Sequence, residues 1–459
     1  MESDSSINDA AQIFPLPLAP FEAYMLADHC HDYPMHFYFR MVLNGGLQRQ
    51  PFMQSLKETI QRHPLLRAKV CSRFGRAPVW ESSDAICLRE CQNGFKELNE
   101  VLHASRIDLT AESGLRTWLF VGPSNADLLF EFHHSCCDGL GALIFLEDLL
   151  VTYHGITEGT ETTDVSVRSH GLKRRAAIPL TAGQAVRKIP LDIMDFFRII
   201  SRRPAIAAKA DRPKKHDVDP RPSAFLSHQF STAELDALLA EARTQSATLN
   251  SILMKDVYRS IDQWMCESGN SAHRWIRMGV PASTRARDSL QRTCCNQVTI
   301  MFLDQHSSDI RTSDALLKRI ALLTRFHRES NIWYSMLQLL NCLAAVPPLL
   351  RLYLRTNRRM CTTISSNVGR AFESCPLPRR QGQLVVGDML LTSLNFLSPL
   401  RPGTEVTFGF VTYANTLSLS MHYKPHRVGE QEARKLLQKV VGNLRKSAGE
   451  KSCGRLAKS

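Results

Sequence analysis

Hydrophobic and polar positions change period several times along the chain, and each period predicts an element. Met35 to Val42 alternates and reads as a strand, followed by the turn signal Asn44-Gly45-Gly46. From Gln50 to Gln61 the apolar residues Phe52, Leu56 and Ile60 recur at helical spacing. Arg62-His63-Pro64 ends that helix, because proline offers no backbone N–H and clashes with the preceding turn. Asp127 to His133 alternates again, with Leu128, Phe130 and Phe132 on one face, and Leu140 to Tyr153 returns to helical period.

Residues 156–222 break the pattern. They are rich in basic residues and hold Pro204, Pro213, Pro220 and Pro222, so they read as a connection carrying one amphipathic helix, Ala185 to Ile200. A second lobe is expected from about residue 223, after a first lobe over 1–155. Ser231-x-x-Glu234 is a capping-box signature ahead of helical spacing at Leu235, Leu238 and Leu239. A further helix is expected over Ser251 to Trp264 with Asn250 as its N-cap. Strands are expected at Arg277 to Val280, Val298 to Phe302, Gln383 to Val386, Val406 to Thr412 and Leu417 to Tyr423, and a last helix over Glu430 to Leu444. Each lobe thus mixes helices and strands, an α/β arrangement.

Composition narrows the function classes. With 44% hydrophobic and 22% charged residues, the 459-residue chain has the makeup of a soluble globular protein. Met1 to Asp9 is polar and acidic, unlike the basic, then apolar, start of a secretory signal. The 13 cysteines lack C-x-x-C spacing, so zinc-ribbon and thioredoxin readings have no support and reduced thiols in a cytoplasmic protein are expected. The net charge of +13 suits an anionic partner. Its local clusters, Lys173-Arg174-Arg175, Arg202-Arg203 and Lys214-Lys215, lack the interleaved aromatics of a nucleic-acid platform, which sets nucleic acid aside.

The chemistry concentrates in His133-His134-Ser135-Cys136-Cys137-Asp138-Gly139, at the end of one expected strand and the start of a helix. Successive strand residues face opposite ways, so the two imidazoles diverge, and His134 shares the face of Phe130 and Phe132. An imidazole with a pKa of about 6.5 can take and return a proton at neutral pH. A carboxylate at Asp138 can fix its surroundings or pair with an arginine, and Gly139 clears space for close approach.

The pattern His-His-x-x-x-Asp-Gly resembles the signature of the chloramphenicol acetyltransferase-like and condensation-domain superfamily. Arg62-His63-Pro64-Leu65-Leu66-Arg67, Pro281-Ala282-Ser283-Thr284-Arg285 followed by Asn296, and Ser365-Ser366-Asn367-Val368-Gly369 are similar to further family segments, the last in the alcohol, polyketide-associated and wax-ester/diacylglycerol acyltransferase branches. The plant D-F-G-W-G motif is missing; Phe408-Gly409-Phe410 does not match it.

The resemblance implies two chloramphenicol-acetyltransferase-like lobes, each a mixed sheet flanked by helices, with the site in the cleft between them. It implies an acyltransferase in which His134 is the general base and Asp138 is structural, paired with Arg285. His133 and Gly139 support the site, and Ser365, Ser366 and Asn367 contact the substrate. No cofactor or metal is implied; acyl-CoA or an acyl-pantetheine thioester is a co-substrate, and the acceptor is a small-molecule or lipid alcohol or amine. A free-standing condensation domain, a Cys137 nucleophile, and a non-catalytic binding protein of the same fold are the competing readings. A monomer is expected, with an acyl carrier protein and peripheral membrane contact open as partners. The apolar Ile332 to Leu354, followed by Arg355, Arg358 and Arg359, could rest on a membrane, line an acyl channel or form a broken core helix pair.

Overall fold

The computed structural model describes residues 13–72, 77–83, 87–91, 102, 106–122, 124–160, 172–173, 175–208, 223–269, 273–285, 293–312, 315–344, 346–356 and 360–449. Met1 to Asp9, Arg174, Pro213, Lys214-Lys215, Pro220, Pro222 and Arg358-Arg359 lie outside the described residues.

Two sheets organise the chain. In chain order the elements used below are α1 (Pro20–Asp28), β1 (His36–Asn44), α2 (Arg49–Arg62), β2 (Cys87–Cys91), β3 (Leu115–Val121), β4 (Asn125–His133), α3 (Gly139–Glu158) and α4 (Ala182–Ser201). They continue with β5 (Ala224–Phe230), α5 (Thr232–Thr244), α6 (Leu249–Glu267), β6 (Trp275–Ser283), β7 (Val298–His306), α7 (Leu316–Glu329), α8 (Ser335–Ala344) and α9 (Pro347–Thr356). The last are β8 (Thr363–Arg370), β9 (Arg379–Arg380), β10 (Gln383–Val386), β11 (Met389–Leu397), β12 (Val406–Tyr413), β13 (Thr416–Tyr423) and α10 (Glu430–Ser447).

The first sheet runs β9-β10-β11-β1-β4-β3-β2 and the second β7-β6-β8-β12-β13-β5. The fold is therefore mixed α/β with helices flanking both sheets. The expected elements appear, most of them longer at one or both ends, because terminal turns and ladder ends lack the apolar period that marks their middles. Ser231 caps α5 as expected, accepting from Glu234 N–H, whose side chain accepts in return from Ser231 N–H. Asn250 is not the cap of α6. Thr248 is, its hydroxyl accepting from Ser251 N–H at 3.1 Å, and Asn250 lies inside the first turn.

Several elements were not legible in the pattern, among them β2, β5, β8, β9 and the three that follow. β3 is buried along nearly its whole length, with Arg116 and Thr117 set among apolar residues, so no alternation betrays it. In β11 burial alternates, but Leu390 beside Leu391 and a register shift between Leu391 and Ser393 blur the period, and α7 follows β7 after only a short helical turn. The placement of β11 matters most. It comes from the C-terminal half of the chain yet pairs antiparallel with β1, Phe396 opposite Phe39. Leu384, Val386, Leu391, Leu394 and Phe396 thereby join the N-terminal core.

That core rests on aromatic stacking. Phe37 and Phe132 face each other across β1 and β4 with ring centroids 5.2 Å apart, and Phe145 of α3 meets Phe132 edge-on at 6.0 Å. Each such fully buried side chain contributes roughly 1.5–3 kcal/mol of transfer free energy. The packing holds the end of β4 against the start of α3, where the paired histidines lie. Among the described residues α3 is the one helix long and apolar enough to cross a membrane, but Ala142, Phe145, Leu146 and Leu149 bury it in this core.

Candidate active site

The strand β4 ends at His133, and a four-residue turn leads to Asp138, the N-cap of α3. Asp138 Oδ1 accepts from Gly141 N–H at 2.8 Å. Its other oxygen accepts from Arg285 Nη1 at 2.7 Å and from Gln297 N–H at 2.8 Å. Arg285 also donates to Cys295 O at 2.7 Å. Burial works against the guanidinium charge, but the Asp138 carboxylate more than offsets this and the Arg285 pKa is raised. The pair thus bolts the first lobe to β6 and the loop before β7 with a charge-assisted bond. The position of Gly141 is cramped by this lock: an added Cβ would stand 2.9 Å from Cys295 O and 3.1 Å from Arg285 Nη2.

The backbone of His134 is held from two sides. Its N–H donates to Met35 O at 2.7 Å, and Asn296 Nδ2 donates to both His134 O and Ser135 O, at 2.7 and 2.9 Å. The ring packs edge-on against Phe37 and Phe21, with centroids 5.1 and 6.1 Å away. Nδ1 lies 3.1 Å from Cys137 O. A carbonyl can only accept, so Nδ1 carries the proton and Nε2 keeps the lone pair. Burial lowers the ring's pKa below 6.5, partly opposed by Asp138 and by the Cys137 carbonyl, so the imidazole is neutral at pH 7.

His133 turns the other way and is buried. Its Nδ1 accepts from Ser135 N–H at 3.1 Å, so Nε2–H donates to His29 Nδ1 at 3.0 Å. Beside them His36 Nε2 accepts from Ile107 N–H at 3.2 Å while its Nδ1 stands 2.7 Å from Glu131 Oε1. The ligand atoms of His29, His36 and His133 lie within 4.8 Å of one another, close enough for a metal. Both nitrogens of His133 and of His36, and Nδ1 of His29, however, already have hydrogen-bonding or ionic neighbours. Burial drives the pKa of His133 well down and that of His29 to about 4.

His134 and Asp138 line a cavity of about 110 Å³ between the sheets. Phe21 and Tyr24 of α1 and Phe37 of β1 wall it, as do Pro281 to Ser283 of β6 and Thr299, Ile300 and Phe302 of β7. Gly139 and Arg285 also border it, as do Ser366 and Asn367 of β8. An added Cβ at Gly139 would come within 2.8 Å of Val368 Cγ1, so the glycine permits the close approach of β8. Ser365 does not belong to this wall: it alternates away from Ser366 along the strand and is buried. Cys137 is also buried outside the cavity, and burial pushes its thiol pKa well up, which removes it as a nucleophile. A larger chamber of about 930 Å³ lies beneath α4, α8 and α9 and shares Ile300, Phe302 and Met360 with the His134 cavity.

The two-sheet arrangement matches solved structures along nearly the whole chain. The trichothecene 15-O-acetyltransferase TRI3 of Fusarium sporotrichioides matches with a TM-score of 0.71 at 12% identity, covering 93% of each chain. The first condensation domain of the CDA synthetase gives 0.67 at 13% identity, covering 95% of this chain and 96% of that one. This is the chloramphenicol acetyltransferase-like, condensation-domain fold. The epimerization domain from the third module of tyrocidine synthetase B shares it, with a TM-score of 0.65 at 15% identity over 95% and 97% of the two chains. No family model matches the sequence, and neither does any curated protein.

Within this fold the structure adds residues that motif reading left without a role. Asn296 clamps the two carbonyls after β4, and the Gln297 backbone completes the Asp138 lock. Arg401 borders the cavity, bonded through Nε to Asp28 and lying 5.6 Å over the Tyr24 ring. Glu22 of α1 takes Arg175 and the Trp80 indole N–H on its carboxylate, and its carbonyl accepts from Ser135 Oγ, so the turn is tied to α1 as well. Asn296 had a visible position in the Pro-x-x-x-Arg…Asn segment; Arg401 and Glu22 carry no local signal.

Proposed function

We propose that the protein is an acyltransferase, moving an acyl group from an acyl-CoA or acyl-carrier-protein thioester to a hydroxyl or amine acceptor, with His134 as general base. The observation that carries the reading is the state of one ring: His134 Nδ1–H is committed to the Cys137 carbonyl, Nε2 is unprotonated, and the side chain borders a cavity walled by both lobes. The likeness in fold to an O-acetyltransferase and to condensation domains supports it.

In this mechanism the acceptor heteroatom attacks the thioester carbonyl carbon while His134 Nε2 takes its proton. The new C–O or C–N bond leaves a tetrahedral oxyanion, to which Ser366 and Asn367 offer donors. Collapse breaks the C–S bond, and Nε2–H returns the proton to the departing thiolate. Asp138 stays out of proton transfer because one of its oxygens caps α3 and the other holds the lobes together.

The test is thiol release from acetyl- to palmitoyl-CoA, and from the matching acyl carrier proteins, with an alcohol or an amine present. Wild type should release thiol and form the ester or amide where His134→Ala does not. Equal thioester loss in both proteins would refute catalysis at this histidine, and no turnover by either would leave the fold serving as a binding protein.

A further inference from the structure

The helix α4 is built inside out. A helix packed on a globular surface turns its apolar stripe inward and its charges to water. Here Lys188 is only 2% exposed, its ammonium bonded to Asp192, Ser335 and Gln338, and Arg198 points inward to Asp195, Asp304 and the Phe302 carbonyl. Val186, Met194 and Phe197 face solvent at 64%, 67% and 65% exposure, with Ile189, Ile193 and Ile200 on the same stripe. The apolar surface extends to Phe326 of α7, which shares a hollow with Met194. Leu349 and Leu352 of α9 are exposed as well. A patch this size on a soluble protein marks a binding face.

We propose that this face seats the protein on an anionic phospholipid bilayer, α4 lying in the plane of the interface. The charge distribution selects this partner. Both carboxylates of α4 are neutralised on its inner side, Asp192 by Lys188 and Asp195 by Arg198. What borders the apolar stripe is positive: Arg187 on α4, Arg203 just after it, and Arg351 and Arg355 on α9, a helix with no acidic residue, while Arg202 stacks on Trp275 beside Asp304. An apolar face fringed by arginines matches the acyl boundary and the negative headgroups above it. The seat also has an outlet. Ile193, Phe196 and Ile200 of α4 border the chamber of about 930 Å³, which shares Ile300, Phe302 and Met360 with the His134 cavity, so an apolar chain leaving the bilayer has a continuous wall to follow.

The experiment is co-sedimentation of the full chain with phosphatidylcholine vesicles containing 30% phosphatidylglycerol, at low and high salt. It compares wild type with Val186→Gln/Met194→Gln/Phe197→Gln, three substitutions outside the chamber and the His134 cavity. Circular dichroism melting checks that the variant folds, and light scattering gives the oligomeric state. Wild type should bind, salt should weaken binding, and the triple variant should lose about tenfold or more in partitioning. Arg187→Gln/Arg351→Gln should lose the preference for phosphatidylglycerol over pure phosphatidylcholine. Absence of wild-type binding, or equal binding by the triple variant, overturns the proposal. A wild-type dimer that the triple variant dissolves also overturns it, assigning the face to a second copy of the chain. Vesicle binding needs no turnover, so these results stand apart from the thiol-release assay.

Discussion

His133 and His134 are neighbours in sequence and opposites in setting. Around His133 the ring nitrogens of three imidazoles meet the Ser135 and Ile107 amides, one another and the Glu131 carboxylate, in a closed buried network. Around His134 one ring nitrogen is spent on the Cys137 carbonyl, and the ring borders the cavity. His133 is the last residue of β4 and His134 the first of the turn that follows, and the two rings face different surroundings. A doubled histidine is thus one structural ring and one ring with basicity to spare, and burial keeps both neutral at pH 7.

The largest effect expected from breaking this contrast falls on activity. His134→Ala should lower kcat by about 10²–10⁴-fold, with an unfolding midpoint near that of wild type, measured by thiol release and by denaturation. Next is the lock between Asp138 and Arg285. Arg285→Met leaves the Asp138 charge without its partner and should cost about 3–5 kcal/mol in urea unfolding. The double variant Asp138→Asn/Arg285→Met should recover part of that loss. His133→Ala should cost about 1–3 kcal/mol through the orphaned Ser135 and His29 partners, and leave a larger share of kcat than His134→Ala does.

The last test of the contrast is pH. The folded pKa of His133 is depressed and that of His29 lies near 4, so the unfolded chain binds more protons than the folded one below about pH 6.5. Stability is full above that pH and should decline as pH falls towards 4, by at most about 1.4 kcal/mol per pH unit for each shifted histidine. Urea midpoints at several pH values measure the slope. The His133→Ala variant should show a shallower decline.

Much of this was legible in the residues. The histidine pair, Asp138 and Arg285 were found by motif, and the structure brings Asp138 and Arg285 to 2.7 Å across the lobes. Backbone partners left no trace: the Gln297 N–H on Asp138 and the Cys137 carbonyl on His134 use groups that every residue has. Ser365 and Ser366 could be ranked only once β8 was seen as a strand with two faces. The amphipathic period of α4 was readable, but a period does not say which face turns inward; that depended on Ser335, Gln338 and Asp304 accepting its cations, residues more than 100 positions away. The joining of β11 to β1 was hidden for the same reason, since register between distant strands has no local code.

One measurement reaches the central claim without a substrate. Long-range proton–nitrogen NMR on protein labelled with ¹⁵N-histidine, assigned by comparison with His134→Ala, reads which nitrogen of this ring holds the proton. At pH 7 Nδ1 should be protonated and Nε2 bare, with protonation of Nε2 only below pH 6.5. A proton on Nε2 with Nδ1 bare, or a ring already cationic at pH 7, would contradict the assignment of His134 as the base.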